Sequence, residues 1–234
     1  MTAGIHVVRH ARARRMRLAV DPRDGKVRLT LPPRASLKKA LAWAEEQSGW
    51  IASQQARLPG SLPLAPGACF PLAGRDIAID HQPAAPRVPR LESERLVCGG
   101  PREGLERRVE RWLRGEALRV LSAETAEYAV RAGVIVTRVS IGDPRGRWGS
   151  CAASGAIRYS WRLILAPEHV RRATVAHEVA HRIHMNHSPA FHRLVETLFE
   201  ADPAPARQWL RRNGAALHWV GRPAPPSEAG ADRP

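Results

Sequence analysis

Ala176-His177-Glu178-Val179-Ala180-His181, followed by Asn186-His187-Ser188, is the stretch that decides the reading of this 234-residue chain. Residues four apart on an α-helix lie about 6 Å along the axis and about 40° apart around it, so the imidazoles of His177 and His181 can reach one metal ion. Glu178 projects about 100° from His177, where its carboxylate can reach a water beside that ion without being a ligand. Zinc hydrolysis needs three protein ligands and an open position for water. His187, on the short connection before a capped helix, is the best third ligand. His192, one turn into that helix, is the fallback, and Glu196 and Glu200 are further options. His184 lies about 10.5 Å from His177 along the helix, too far for both to share the ion with His181.

The surrounding residues are consistent with a supported site. Pro167 and Glu168 suit the first turn of the motif helix, which is expected to run to about His184 or Met185. Ser188 and Pro189 supply the cap and first residue of the next helix, whose apolar face is Phe191, Leu194, Val195, Leu198 and Phe199. Asp202-Pro203 starts a last short helix expected to end near Asn213-Gly214. Upstream, Leu105, Val109, Trp112, Leu113, Glu116, Val120, Leu121 and Tyr128 keep helical spacing from about Leu105 to Arg131, and Gly133 is a natural stop. Val134 to Ile141, a strand beginning near Arg147, and Ile157 to Leu165 then predict a three-stranded antiparallel sheet laid against a helix. The edge of the last of these strands could take an extended peptide by strand addition.

At the N-terminus Met16, Leu18 and Val20 alternate, Asp24-Gly25 supplies turn chemistry, and Val27, Leu29 and Leu31 alternate again, a hairpin pattern. Ser36 is placed to cap one helix to about Arg57, with Trp43 and Trp50 at the edge of its core stripe. Pro- and Gly-rich sequence from Pro59 to Gly100 predicts two to four short strands, and residues 99–104 are the best boundary. The expected organisation is a β-rich region over 1–100 with a helix at 36–57, a catalytic domain over 101–220, and a disordered tail over 221–234. The fold class is α+β.

Thirty-seven Lys and Arg against 22 Asp and Glu give a net charge of +15, which would attract DNA, RNA or other anionic partners. Only three of those cations are lysines, a bias that a GC-rich genome alone would produce. Cys69, Cys98 and Cys151 are widely spaced and lack a CxxC pair, which argues against a disulfide framework and a cysteine zinc site and fits the cytoplasm. No apolar run approaches the roughly 18 residues of a membrane span, so no membrane role is expected.

Arg147-Trp148-Gly149-Ser150-Cys151, Ile157 through Trp161-Arg162-Leu163, Ala166-Pro167, the His-Glu-Val-Ala-His stretch and Asn186-His187-Ser188 with Phe191 together resemble the YgjP-like metallopeptidase domain, and more distantly the SprT-like proteases. The resemblance covers roughly residues 10 to 213. It implies a zincin-like fold with His177, His181 and His187 on zinc and Glu178 as acid and base. SprT-like relatives act on proteins attached to DNA, which gives the positive charge a meaning. Ser160 and His192 depart from the family pattern, which has Asn and an aromatic residue there. Within Trp148 to Cys151, Trp148 is expected to pack on the motif helix, Gly149 to permit close backbone approach, and Cys151 to be a small buried residue rather than a reactive thiol. Tyr159, His184 and Arg162 are the candidates for oxyanion stabilisation.

The leading function is a zinc metallopeptidase acting on a peptide or protein. The alternatives are a zinc amidase or other hydrolase on a non-peptide bond, and a basic nucleic-acid-binding module with a structural zinc. A general base beside an open metal position separates the enzymes from the last.

Overall fold

A computed structural model describes residues 4–222. The tail expected from residue 221 therefore lies, from residue 223 on, outside the described residues. The chain divides into two compact units, Met1–Gly60 and Ser61–Pro234. Residues 61–100, grouped with the N-terminal region on sequence, belong to the second.

In the first unit the alternating segments form β2 (Arg17–Val20) and β3 (Val27–Leu31), an antiparallel hairpin, with β1 (Ile5–Arg9) added parallel to β3. The strand order is β1-β3-β2, so β2 is an edge. Leu29 and Leu31 of one sheet face pack with Ala40 and Ala44, and Met16, Leu18 and Trp43 close over them. The single helix expected over 36–57 is two, α1 (Leu37–Glu46) and α2 (Ser48–Gln55). Ser36 caps α1 by accepting from the Lys39 amide, but the chain leaves helical geometry at Gln47, before Ser48-Gly49. Serine competes for backbone hydrogen bonds and glycine carries the largest entropy cost, so this is where the helix is weakest.

The second unit begins with a four-stranded sheet, β4 (Cys69–Leu72), β5 (Arg75–His81), β6 (Arg90–Glu92) and β7 (Arg95–Cys98), in the order β4-β5-β7-β6. Helix α3 (Leu105–Ala132) follows and stops at Gly133. Leu105, Val109, Leu113, Leu121 and Tyr128 are buried as their spacing requires, while Trp112 and Val120 pack at the rim and Glu116 is only half-buried. The second small sheet is β8 (Arg138–Gly142), β9 (Gly149–Cys151) and β10 (Ala156–Ser160), in the order β8-β10-β9. It has the three strands expected, but it is mixed: β10 runs parallel to β8 and antiparallel to β9. The Asp143-Pro144-Arg145-Gly146 connection is not a two-residue hairpin loop, and it carries the chain past β8 to the far side of β10.

Two further expectations change. The strand predicted to reach Leu165 ends at Ser160, and Trp161–Leu165 is a turn of 3-10 helix. Trp161, Leu163, Ile164 and Leu165 are all buried; an extended strand would send neighbours to opposite faces, whereas the helical turn lets them share one core. Because β10 is central, both its edges are already paired, and the peptide edge proposed there on sequence does not exist.

The motif helix α4 (Glu168–Ala180) is followed by α5 (Pro189–Phe199) and α6 (Ala204–Leu217). The last helix continues through Gly214, the residue expected to stop it. A Cβ at Gly214 would stand 2.7 Å from Cζ2 of Trp148, so this glycine makes room for an indole rather than ending a helix. Val170, Ala176, Val179 and Ala180 bury one side of α4 in the core that α3 and the 3-10 turn share. A buried ion pair adds to this anchorage: the Arg171 guanidinium on α4 donates to both carboxylate oxygens of Glu124 on α3 at 2.8 to 3.1 Å.

Candidate metal centre

Helix α4 gives up regular geometry at His181, earlier than the His184 or Met185 expected. Arg182, Ile183 and His184 close a tight turn by donating back to the carbonyls of Val179 and Ala180. That early end has a chemical use. His181 Nδ1 lies 3.0 Å from the carbonyl oxygen of His184. A carbonyl can only accept, so Nδ1 carries the proton and the lone pair of His181 is on Nε2. His184, a candidate for oxyanion stabilisation on sequence, thus contributes its backbone by holding a neighbouring ring in one tautomer.

After the turn, Ser188 caps α5 by accepting from the Phe191 amide, and Pro189 occupies the first turn. This device aims the preceding residue, His187, back at α4. One ring nitrogen from each of His177, His181 and His187 lies within 4.8 Å of the other two, and Nε2 of His177 is 3.3 Å from Nε2 of His187. Two imidazoles bound tetrahedrally at about 2.0 to 2.1 Å from an ion stand about 3.3 to 3.4 Å apart, so this pair already has the spacing of two ligands. His192, Glu196 and Glu200 are exposed and outside this group. Glu200 instead pairs with Arg131.

Phe191 holds the rings in place. Fully buried, it stacks on His181 with centroids 4.5 Å apart and meets His177 and His187 edge-on, each at 4.9 Å. Its helical spacing marks it as a core residue, but nothing in the sequence shows that three imidazoles converge on it. Burial, and next the neighbouring His181 and His187, push the His177 imidazole down to about 4, so it is neutral and free to act as a ligand at pH 7. Burial pushes the Glu178 carboxyl up to about 7, partly offset by the Arg147 guanidinium.

Glu178 lines a cleft of about 270 Å³ together with His177, Arg147, Trp148 and Gly149 and with Arg207 and Leu210 of α6. Trp148 reaches this position by packing on Gly214 and by lying 5.6 Å, ring to ring, from His218. It packs against the core cluster that contains the motif helix, and Gly214 of α6 adds a second support that the sequence did not disclose. The contribution of Arg207 and Leu210 escaped the sequence reading; the small residue at Gly214, set inside a helical pattern, was the available signal.

The remaining sequence candidates take other roles. The Tyr159 hydroxyl is buried and bonded to Thr125 Oγ1 at 3.0 Å. Arg162 forms a bidentate pair with Asp143 at 2.8 and 2.9 Å and donates to the carbonyls of Leu217 and Val220. Neither is free to meet an oxyanion. Cys151 is half-buried, and burial raises its thiol, so it is not poised as a thiolate.

A helix carrying His-Glu-x-x-His, a small sheet set against it and a third histidine from the following turn define the metal-dependent peptidases. The family model described as the YgjP-like metallopeptidase domain matches residues 14–213, and the chain belongs to that family. Comparison with curated proteins and with solved structures gave no match.

Proposed function

We propose that this chain is a zinc-dependent peptidase in which His177, His181 and His187 hold the ion and Glu178 is the general acid and base. The observation that carries this reading is the meeting of three imidazole nitrogens within 4.8 Å, next in sequence to a buried carboxyl raised to about 7. An all-imidazole set suits zinc, and three ligands leave a position open. When bound, zinc polarises the scissile carbonyl and lowers the pKa of water toward about 7.

The chain's own residues do the rest. Glu178 accepts a proton from the attacking water at a carboxylate oxygen and passes it to the leaving amine; a carboxyl near neutrality suits both transfers. The edge strand β9 runs beside this carboxyl through Gly149, so an extended peptide added to its open edge lies alongside Glu178. A neighbouring side chain then enters the cleft between Trp148 and Leu210. The net charge of +15 supports substrates that are proteins held near DNA or RNA, and three free cysteines support the cytoplasm as the compartment. Among the described residues no helix is long and apolar enough to cross a membrane.

The test is metal analysis combined with cleavage of unfolded casein. Wild type is expected to carry one zinc per chain and to cleave. His187→Ala should lose the metal, and Glu178→Gln should keep metal and fold while losing cleavage by at least 100-fold. Cleavage by Glu178→Gln at the wild-type rate would overturn the assignment.

A further inference from the structure

A strongly basic cavity lies in the first unit, by itself, and the peptidase reading makes no use of it. Residues 1–60 hold 12 Lys and Arg against four Asp and Glu, so about a quarter of the chain carries +8 of the net +15. A groove of about 790 Å³ opens there along the β2 edge of the sheet. Arg14, Arg15 and Arg17 line it together with His10, Trp43 and Trp50, and no aspartate or glutamate does. Those three arginines are exposed, and among the described residues none of them has a carboxylate partner.

The tryptophans differ in a telling way. Trp43 packs against the small apolar cluster of this unit, so only part of it faces the groove. Trp50 lies beyond the break at Gln47, belongs to no core cluster and is 41% exposed. The broken helix thus presents an indole that folding of this unit does not require, beside guanidinium groups that folding does not neutralise.

We infer that this groove is a binding site for single-stranded nucleic acid, with Arg14, Arg15 and Arg17 on the phosphates and Trp50, flanked by Trp43, stacking on unpaired bases. Positive grooves with aromatic platforms hold single strands in this way, because every base has a face to stack and every nucleotide a phosphate to neutralise. A duplex hides its base faces and leaves the indoles unused. An acidic peptide satisfies the arginines but gives the tryptophans no flat partner. The inference gives a physical site to the nucleic-acid part of the reading above, and it stands apart from the metal chemistry.

The experiment uses the full chain and a fluorescein-labelled 15-residue oligothymidylate, with a duplex of equal length and a polyglutamate peptide for comparison. The single strand should bind more tightly than the duplex. Its log K should fall with log salt at a slope of about −2, the value for three phosphates on a single strand. Trp50→Ala and the pair Arg14→Glu with Arg15→Glu should each weaken binding about 10-fold or more, with unchanged thermal unfolding. His187→Ala should bind the oligonucleotide like wild type, so loss of the peptidase assignment leaves this one standing, and the reverse. Wild-type affinity in both groove variants, equal affinity for duplex, or displacement of the oligonucleotide by polyglutamate as readily as by unlabelled strand would each overturn it.

Discussion

A Cβ built on Gly149 would stand 2.5 Å from both Cγ and Oε1 of Glu178, so the edge strand β9 and the carboxyl of the motif helix share a space that glycine alone leaves open. The carboxyl cannot be pushed aside cheaply, because Glu178 is itself buried. Gly149→Ala is therefore expected to turn the Glu178 side chain out of position while the three histidines stay together. On the proposed function, the variant should bind metal like wild type and lose at least 10-fold in kcat on casein, with overpacking costing about 1 to 3 kcal/mol of stability. Metal content, kcat and urea unfolding measured on the same preparation check all three.

The raised Glu178 carboxyl also makes the metal-free protein sensitive to pH. Its folded value of about 7 lies above the ordinary 4.5, so the native state holds this proton more tightly than the unfolded chain does. The stability this proton contributes is complete below about pH 4.5 and is lost as pH rises through 7, on the order of 3 kcal/mol in all. His177, lowered to about 4, works in the opposite sense: its contribution is present above its ordinary value of 6.5 and is lost as pH falls through about 4. Glu178→Gln removes only the first effect. After chelation, its unfolding temperature should exceed that of wild type at pH 8, and the advantage should shrink steadily toward pH 4.5.

Phe191 touches no substrate in the proposed reaction, yet the rings of His177, His181 and His187 all lean on it. Phe191→Leu keeps an apolar side chain at a fully buried position but removes the flat face under His181. Zinc affinity should fall by about 10-fold, within the range seen when the partners that orient metal ligands are lost. Phe191→Ala should additionally cost about 3 to 5 kcal/mol through the cavity it opens. Competition with a chromophoric chelator measures the first effect and urea unfolding the second.

These relationships separate what the sequence could disclose from what it could not. The spacing of His177 and His181, the Ser188-Pro189 cap behind His187 and the apolar stripe of α3 are local patterns, and local patterns are legible in a chain. The neighbours of Phe191 are not, because helical spacing says that a side chain is buried without saying against which rings. Gly214 reads as a helix stop by default; its actual role depends on Trp148, 66 residues earlier in sequence. The parallel pairing of β8 with β10 is likewise a long-range choice, since alternation specifies a strand but not its partner or direction. The break at Gln47 is hidden in the same way, because the helical spacing of Ala40, Ala44, Ser48 and Ile51 continues across it.

The buried pair between Arg171 and Glu124 is the last relationship whose consequences can be measured. It joins the C-terminal part of α3 to the motif helix six residues before His177, with both side chains less than a tenth exposed. Removing one partner strands a charge in the core: Arg171→Met should cost about 3 to 5 kcal/mol and lower zinc affinity by loosening α4. Replacing both, Arg171→Met with Glu124→Leu, leaves no unpaired charge and should recover most of the lost stability, because apolar packing often matches a buried ion pair. Zinc affinity in the double variant decides what the pair is for. Full recovery would mean that the pair matters to the site only through stability. A persistent loss would show that the two-pronged guanidinium clamp sets the position of α4, and with it the spacing of His177 and His181 from His187.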